Sequence, residues 1–224
     1  MTKAQTNIAT QLALPDCVFA PELSAIAGVD EVGRGALFGP VVAAAVILPE
    51  RAAPDLQTAG VTDSKRLAAS QRVELARQIR SSAIAFQIAY ASVYEIDRLN
   101  ILQASLLAMK RAILRLSVSP RLCLVDGNQR IPDLGYPQQT VVKGDQRSLS
   151  IAAASILAKV WRDQLISRLD RRYPQYQLAN NKGYGTPAHR QAIQQFGLCR
   201  QHRRSFSPCR QSEQQAPRST LFTT

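Results

Sequence analysis

No Cys-x-x-Cys pair occurs in this sequence. Its four cysteines, Cys17, Cys123, Cys199 and Cys209, are scattered along the chain. That spacing argues against a zinc site and a disulfide framework, and it leaves reduced thiols of the kind kept in the cytoplasm. No apolar run approaches the length that spans a bilayer. Met1 to Cys17 carries a single Lys among Thr, Gln and Asn, and lacks both the charged start and the small-residue cleavage pattern of a secretory signal. Acids are also scarce: 16 Asp and Glu stand against 28 Lys and Arg, a net charge of +12. From Asn181 onward seven basic residues face one acid, Glu213. Such an excess favours a polyanionic partner, nucleic acid before a membrane surface, although a basic tail is often only a solubilising face.

What is present is a globular composition, 46% apolar over 224 residues, enough for one well-buried domain and crowded for two. Apolar runs at Ala25–Val29, Val41–Leu48, Ala83–Ala91, Arg121–Val125 and Thr140–Val142 read as five strands. Helices are expected from Ser70, as N-cap, to Arg80, and from Glu95 to Leu116, where Ile96, Leu99, Leu102, Leu106, Met109, Ile113 and Leu116 recur at helical spacing. A third runs from about Ser148 to Asp170, and a last opens at Pro187. Arg51–Val61 reads as a connection and residues 183–186 as a loop. The order implies an α/β domain over residues 25–206, with helices on both faces of a mixed five-stranded sheet and a C-terminal helical segment. Residues 1–24 read as a loose leader, and residues 207–224, rich in Gln, Ser, Pro and Arg, as a disordered basic tail. There is no internal repeat.

Two of the buried-looking strands end on acids, Asp30-Glu31 and Asp126, and open α/β sheets place their sites at such strand ends. Asp145, just ahead of the long helix, is a candidate fourth oxygen ligand. Clustered carboxylates repel, so they hold a proton or a cation. Oxygen donors without His or Cys suit Mg²⁺ or Mn²⁺, and two such ions roughly 4 Å apart serve phosphodiester cleavage. One difficulty stands against this. Neighbouring strand residues point to opposite faces, so Asp30 and Glu31 share a site only if the strand ends early, which Gly33 and Gly35 favour. Singly, each acid also has an ordinary reading: a solvated strand end, an Asp-Gly turn at Asp126, a helix cap at Asp145.

Five blocks in order resemble the ribonuclease HII family: Gly28-Val-Asp30-Glu31-Val-Gly33-Arg34-Gly35 through Gly39-Pro40, Asp63-Ser64-Lys65 with Leu67, Leu124-Val-Asp126-Gly127, Lys143-Gly144-Asp145 with Ser150 to Val160 and Arg162-Asp163, and Asn181 to Thr186. They span about residues 25 to 205. The resemblance implies an RNase H-like fold, and an endoribonuclease that cuts RNA in RNA–DNA hybrids and 5′ of ribonucleotides embedded in duplex DNA. It assigns Asp30, Glu31, Asp126 and Asp145 as catalytic, metal-holding carboxylates. Gly33-Arg34-Gly35 and Tyr184 become readers of the RNA–DNA junction, with Lys65, the backbone around Ser64, and Arg34 on phosphates. Asp163 is a rival fourth carboxylate, but its place inside the long helix favours an ion pair. About 24 residues precede the first strand, too few for the extra N-terminal domain of the sibling HIII type. A hybrid-binding module without catalysis, or a junction resolvase on the same fold, stands as the alternative. Membrane association is not expected and a monomer is. The terminal Leu221-Phe222 pair is a weak sliding-clamp motif, with Arg218 where Gln is expected.

Overall fold

The computed structural model describes residues 25–62, 64 and 67–215. The leader, Asp63, Lys65, Arg66 and residues 216–224, including the Leu221-Phe222 motif, lie outside them. The strands are β1 (Ile26–Val32), β2 (Val41–Ile47), β3 (Ala85–Ala91), β4 (Leu122–Asp126) and β5 (Gln138–Val141). The helices are α1 (Ala53–Thr58), α2 (Ala69–Ser82), α3 (Val93–Leu99), α4 (Ile101–Leu114), α5 (Leu149–Asp170), α6 (Leu178–Asn181), α7 (Pro187–Phe196) and α8 (Ser207–Gln215). The sheet order is β3-β2-β1-β4-β5. β2 runs antiparallel to both neighbours, while β1, β4 and β5 are mutually parallel, so the sheet is mixed as expected.

Every residue of β2 is buried, which is why its sequence is a continuous apolar run rather than an alternating one. One sheet face, with Val29, Ala43 and Val125, packs on α4 through Ala104, Ala108 and Ala112, small side chains at four-residue spacing that let the helix lie close. The other face, with Val42, Ala44 and Val46, packs on α2 and α5. Here Gly28 is required: a Cβ on it would sit 2.2 Å from the Ser150 carbonyl carbon, so α5 begins directly over β1. A third cluster joins Leu37 and Phe38 to Ile166, Tyr176, Leu178, Ile193 and Cys209, seating the C-terminal helices against the chain that follows β1. Cys123 and Cys199 are free thiols, and among the described residues no helix is long and apolar enough to cross a membrane.

The structure departs from the expected elements in five places. The helix expected over 95–116 is two helices, broken at Asn100, whose φ of 71° no α-helix accepts. Asn100 Oδ1 then accepts from the Leu102 and Gln103 amides at 2.9 and 3.1 Å and restarts the helix as its N-cap. Apolar spacing runs across the break because residues on both sides pack into the same core. Ser70 is not an N-cap: α2 starts at Ala69, after Ala68 with no side-chain cap, and Arg72 instead donates to the Ser64 and Leu67 carbonyls ahead of it. The 51–61 connection contains α1, anchored by buried Leu56. β1 does not end early at Val29 but continues to Val32. Finally, residues 207–215 are helical rather than disordered, because buried Cys209 ties α8 to the C-terminal core.

Candidate active site

The parallel ladder between β1 and β4 has its last rung at Val29–Val125. Asp30 and Asp126 follow it side by side, at the ends where the sequence placed them. Beyond that rung β1 is paired only with β2, up to Val32–Val42, so its β4 side lies open. Asp30 leaves β1 on the α5 face and Glu31 on the opposite one. Even so, one carboxylate oxygen from each of Asp30, Glu31 and Asp126 lies within 4.8 Å of the others. The early strand end was therefore unnecessary: the longer Glu31 side chain reaches the cluster around the open strand end, held by Arg34 Nη1 at 3.1 Å from its Oε1.

Each acid is locked by local donors. The Glu31 amide donates to Asp30 Oδ1 at 2.7 Å, and Ser155 of α5, beside it in the cleft, favours its charged form. The Gly144 amide donates to Asp126 Oδ1 at 2.7 Å. That approach needs glycine, since a Cβ at 144 would lie 2.5 Å from Ile151 Cδ1 and 3.1 Å from Asp126 Oδ1. The bond also fixes the short 3-10 turn Gly144–Gln146, which carries buried Asp145 into the same cleft beside the three-acid cluster. Burial, then Glu31 and Asp126, raise the Asp30 carboxyl well above its usual range. Burial also raises Glu31, against the pull of Arg34 and with a further push from Asp126. Acids held this way accept a cation readily, and an all-oxygen donor set fits Mg²⁺ or Mn²⁺.

The surrounding cleft holds about 550 Å³. Gly33, Arg34, Gly35, Ser64, Ser155, Lys159 and Tyr184 line it with the four acids, so every expected site residue in the described part of the chain is brought to one place. Lys65 lies outside the described residues. Gly33 has φ +91°, a conformation that favours glycine, and a Cβ at Gly35 would meet nothing within 4 Å, so that backbone is open to a ligand. Ser64 is buried with its hydroxyl 2.9 Å from that of Ser155, placing it behind the acids. Asp163 is no part of the cluster: its Oδ1 pairs with Lys159 Nζ at 2.9 Å and its Oδ2 lies 3.9 Å from Arg72.

Sequence reasoning missed Ser155 and Lys159. Their one signal was the helical spacing of four that puts both on the Ile151 side of α5, and long apolar α5 hid it. It also missed the support of Tyr184. The Tyr184 carbonyl accepts from His189 Nδ1 at 2.9 Å, and His189 Nε2 lies 3.2 Å from His202 Nε2. His202 Nδ1 accepts from the Cys199 amide at 3.0 Å, so the proton between the two rings sits on His202 Nε2 and both rings are neutral. Burial first, then His189, pull His202 down to about 4.

A mixed sheet of this order with a carboxylate cluster at the ends of adjacent parallel strands defines a metal-dependent nuclease of the RNase H fold. The structure of ribonuclease H2 from Pyrococcus horikoshii superposes with a TM-score of 0.72 at 26% identity, over 84% of this chain and 97% of that one. Ribonuclease HII from Archaeoglobus fulgidus, solved in complex with PCNA, gives a TM-score of 0.67 at 28% identity, over 80% of this chain and 91% of that one. A ribonuclease HII from Acaryochloris marina is 67% identical over 187 residues, 84% of this chain and 94% of that protein. The family model for ribonuclease HII matches residues 27–209. The chain belongs to the ribonuclease HII family.

Proposed function

We propose that the chain cuts the RNA strand of RNA–DNA hybrids and cleaves on the 5′ side of ribonucleotides embedded in duplex DNA, leaving 5′-phosphate and 3′-hydroxyl ends. The observation that carries this reading is the meeting, in one cleft, of the clustered acids with the Gly33–Gly35 loop, whose backbone is open at Gly35, and with Tyr184. Asp30, Glu31, Asp126 and Asp145 would hold two divalent ions, Mg²⁺ or Mn²⁺, and bound ions supply activation of the attacking water and stabilisation of the leaving oxygen.

The chain's own groups do the rest. The loop brings main-chain groups against the ribose, where the 2′-hydroxyl distinguishes RNA from DNA. The Tyr184 ring lies under the next sugar and disfavours a second hydroxyl there. Arg34, half exposed at the cleft mouth, contacts a phosphate, as do Lys65 and the backbone around Ser64. The net charge of +12 draws the duplex in. The enzyme works as a monomer in the cytoplasm. The clamp complex of the Archaeoglobus relative supports docking of the Leu221-Phe222 tail on a sliding clamp, and failure of the isolated tail to bind one would remove that element.

The test is a DNA duplex with one ribonucleotide, incubated with Mg²⁺ or Mn²⁺ beside an all-DNA duplex and an EDTA control. A single metal-dependent cut 5′ of the ribonucleotide is expected, abolished in Asp126→Asn with duplex binding retained. Binding without any cut would leave a hybrid-binding module, and metal-dependent cutting of plain DNA would leave another nuclease of this fold.

A further inference from the structure

Two fully buried guanidinium groups lie behind the loop and Tyr184: Arg162 on α5, and Arg203 between α7 and α8. Neither pairs with a described carboxylate. Their partners are main-chain carbonyls. Arg203 donates from Nη2 to Gly33 (2.7 Å), from Nη1 to Arg34 (2.8 Å) and from Nε to Gly39 (2.9 Å). Arg162 donates from Nη2 to Phe38 (3.0 Å), from Nε to Pro40 (3.2 Å) and from Nη1 to Lys182 (2.9 Å), and lies 5.5 Å from the Tyr184 ring centroid. Arg162 packs so closely on Gly33 that a Cβ there would fall 2.2 Å from its Nε. The loop and the Tyr184 segment are joined again by the Leu37 and Phe38 amides, both donating to the Gly183 carbonyl.

Burying two like charges without a direct ion pair is costly, and apolar side chains would fill the same space at less expense. What guanidinium supplies, and an ammonium or an apolar group cannot, is a rigid planar fork that fixes several carbonyls at set distances. α5 carries Arg162 and also Ser155, which lines the cleft beside the acids, so the fork is in rigid register with them.

We propose that Arg162 and Arg203 are positioning residues that set the Gly33–Gly35 loop and Tyr184 as one unit against the carboxylates, and that this register makes cleavage selective for the RNA–DNA junction. The inference rests on the junction-reading role proposed for that loop. Neither arginine touches substrate, and both act through the carbonyls they hold.

The experiment uses the full chain with Arg203→Lys, Arg162→Lys and Gly35→Ala. kcat and KM are measured on a duplex with one ribonucleotide and on a long RNA–DNA hybrid, well below each variant's unfolding temperature. Each lysine variant keeps a positive charge and loses the fork. Misplacement on the ångström scale is expected to lower kcat on the single-ribonucleotide duplex about tenfold or more, with little change in KM and a smaller loss on the hybrid. A merely structural role predicts a lower unfolding temperature with equal loss on both substrates, and that result overturns the proposal. Should Arg203→Lys not fold, Arg162→Lys decides alone. Gly35→Ala, whose new methyl group has open space, tests the loop directly. If it leaves the substrate preference unchanged, the loop does not read the junction and both readings fall. If it shifts the preference while the lysine variants do not, only the positioning role falls.

Discussion

Removing one charge from the acid cluster should stabilise the metal-free protein while destroying its activity, and Asp30→Asn is the substitution that shows it. With oxygens within 4.8 Å, one carboxylate pair repels by about 3.5 kcal/mol at an effective dielectric near 20. Partial protonation and residual solvent reduce the recoverable part to about 1–2 kcal/mol. Asparagine keeps an acceptor oxygen for the Glu31 amide, so little bonding is lost. For a chain of this length the gain corresponds to a rise in Tm of about 3–6 °C in EDTA. The sign with pH follows from the raised Asp30 pKa. A group whose folded pKa exceeds its unfolded value near 3.8 takes stability away as pH rises through the folded pKa. The advantage of Asp30→Asn should therefore widen from pH 4 towards neutrality. Wild type should also gain about 2.7 kcal/mol from Mn²⁺ at 100-fold over its dissociation constant, and the variant markedly less. Thermal unfolding in EDTA and in Mn²⁺ reads both effects. A variant less stable than wild type in EDTA, or equally stabilised by metal, would refute the electrostatic account of the site.

Other perturbations give separate checks. Gly144→Ala forces a methyl group against Ile151 and Asp126, and should cost about 1–3 kcal/mol in urea unfolding and lower cleavage by shifting Asp145. Asn100→Ala loses a cap and keeps a positive φ, for a cost of about 2 kcal/mol, while Asn100→Gly should cost less; denaturant midpoints rank the two. Because His202 is depressed to about 4 from 6.5, its contribution is fully present above pH 6.5 and lost as pH falls towards 4, roughly 3 kcal/mol in all. Urea unfolding at pH 7 and pH 5 should show a smaller difference in His202→Gln than in wild type.

Asp30, Glu31 and Asp126 were legible because they close apolar runs, and the strands were legible because a sheet covered on both faces demands continuous apolar runs. Their cooperation was not. Alternation along β1 seemed to separate Asp30 from Glu31, and the answer depends on where β4 stops, which no local pattern in β1 encodes. Asn100 was hidden because helices on either side of a break share one core and so one apolar period. Polar composition concealed α8, which buried Cys209 ties to the C-terminal core. Arg203 carried no signal at all: the carbonyls it meets lie up to 170 residues away, and an arginine in a basic stretch reads as solvent-facing until the fold encloses it.

The course of α5 also constrains how this chain can change length. Between Ser150, pressed over Gly28, and Arg162, pressed over Gly33, the helix advances about 18 Å and delivers Ser155 to Asp30 on the way. Inserting or deleting one residue there would turn everything beyond it by about 100° and slide it about 1.5 Å. No loop lies in that stretch to absorb the slip. Whatever lengthening the chain tolerates must therefore fall elsewhere, and the stretch between these two glycine contacts has a fixed residue count.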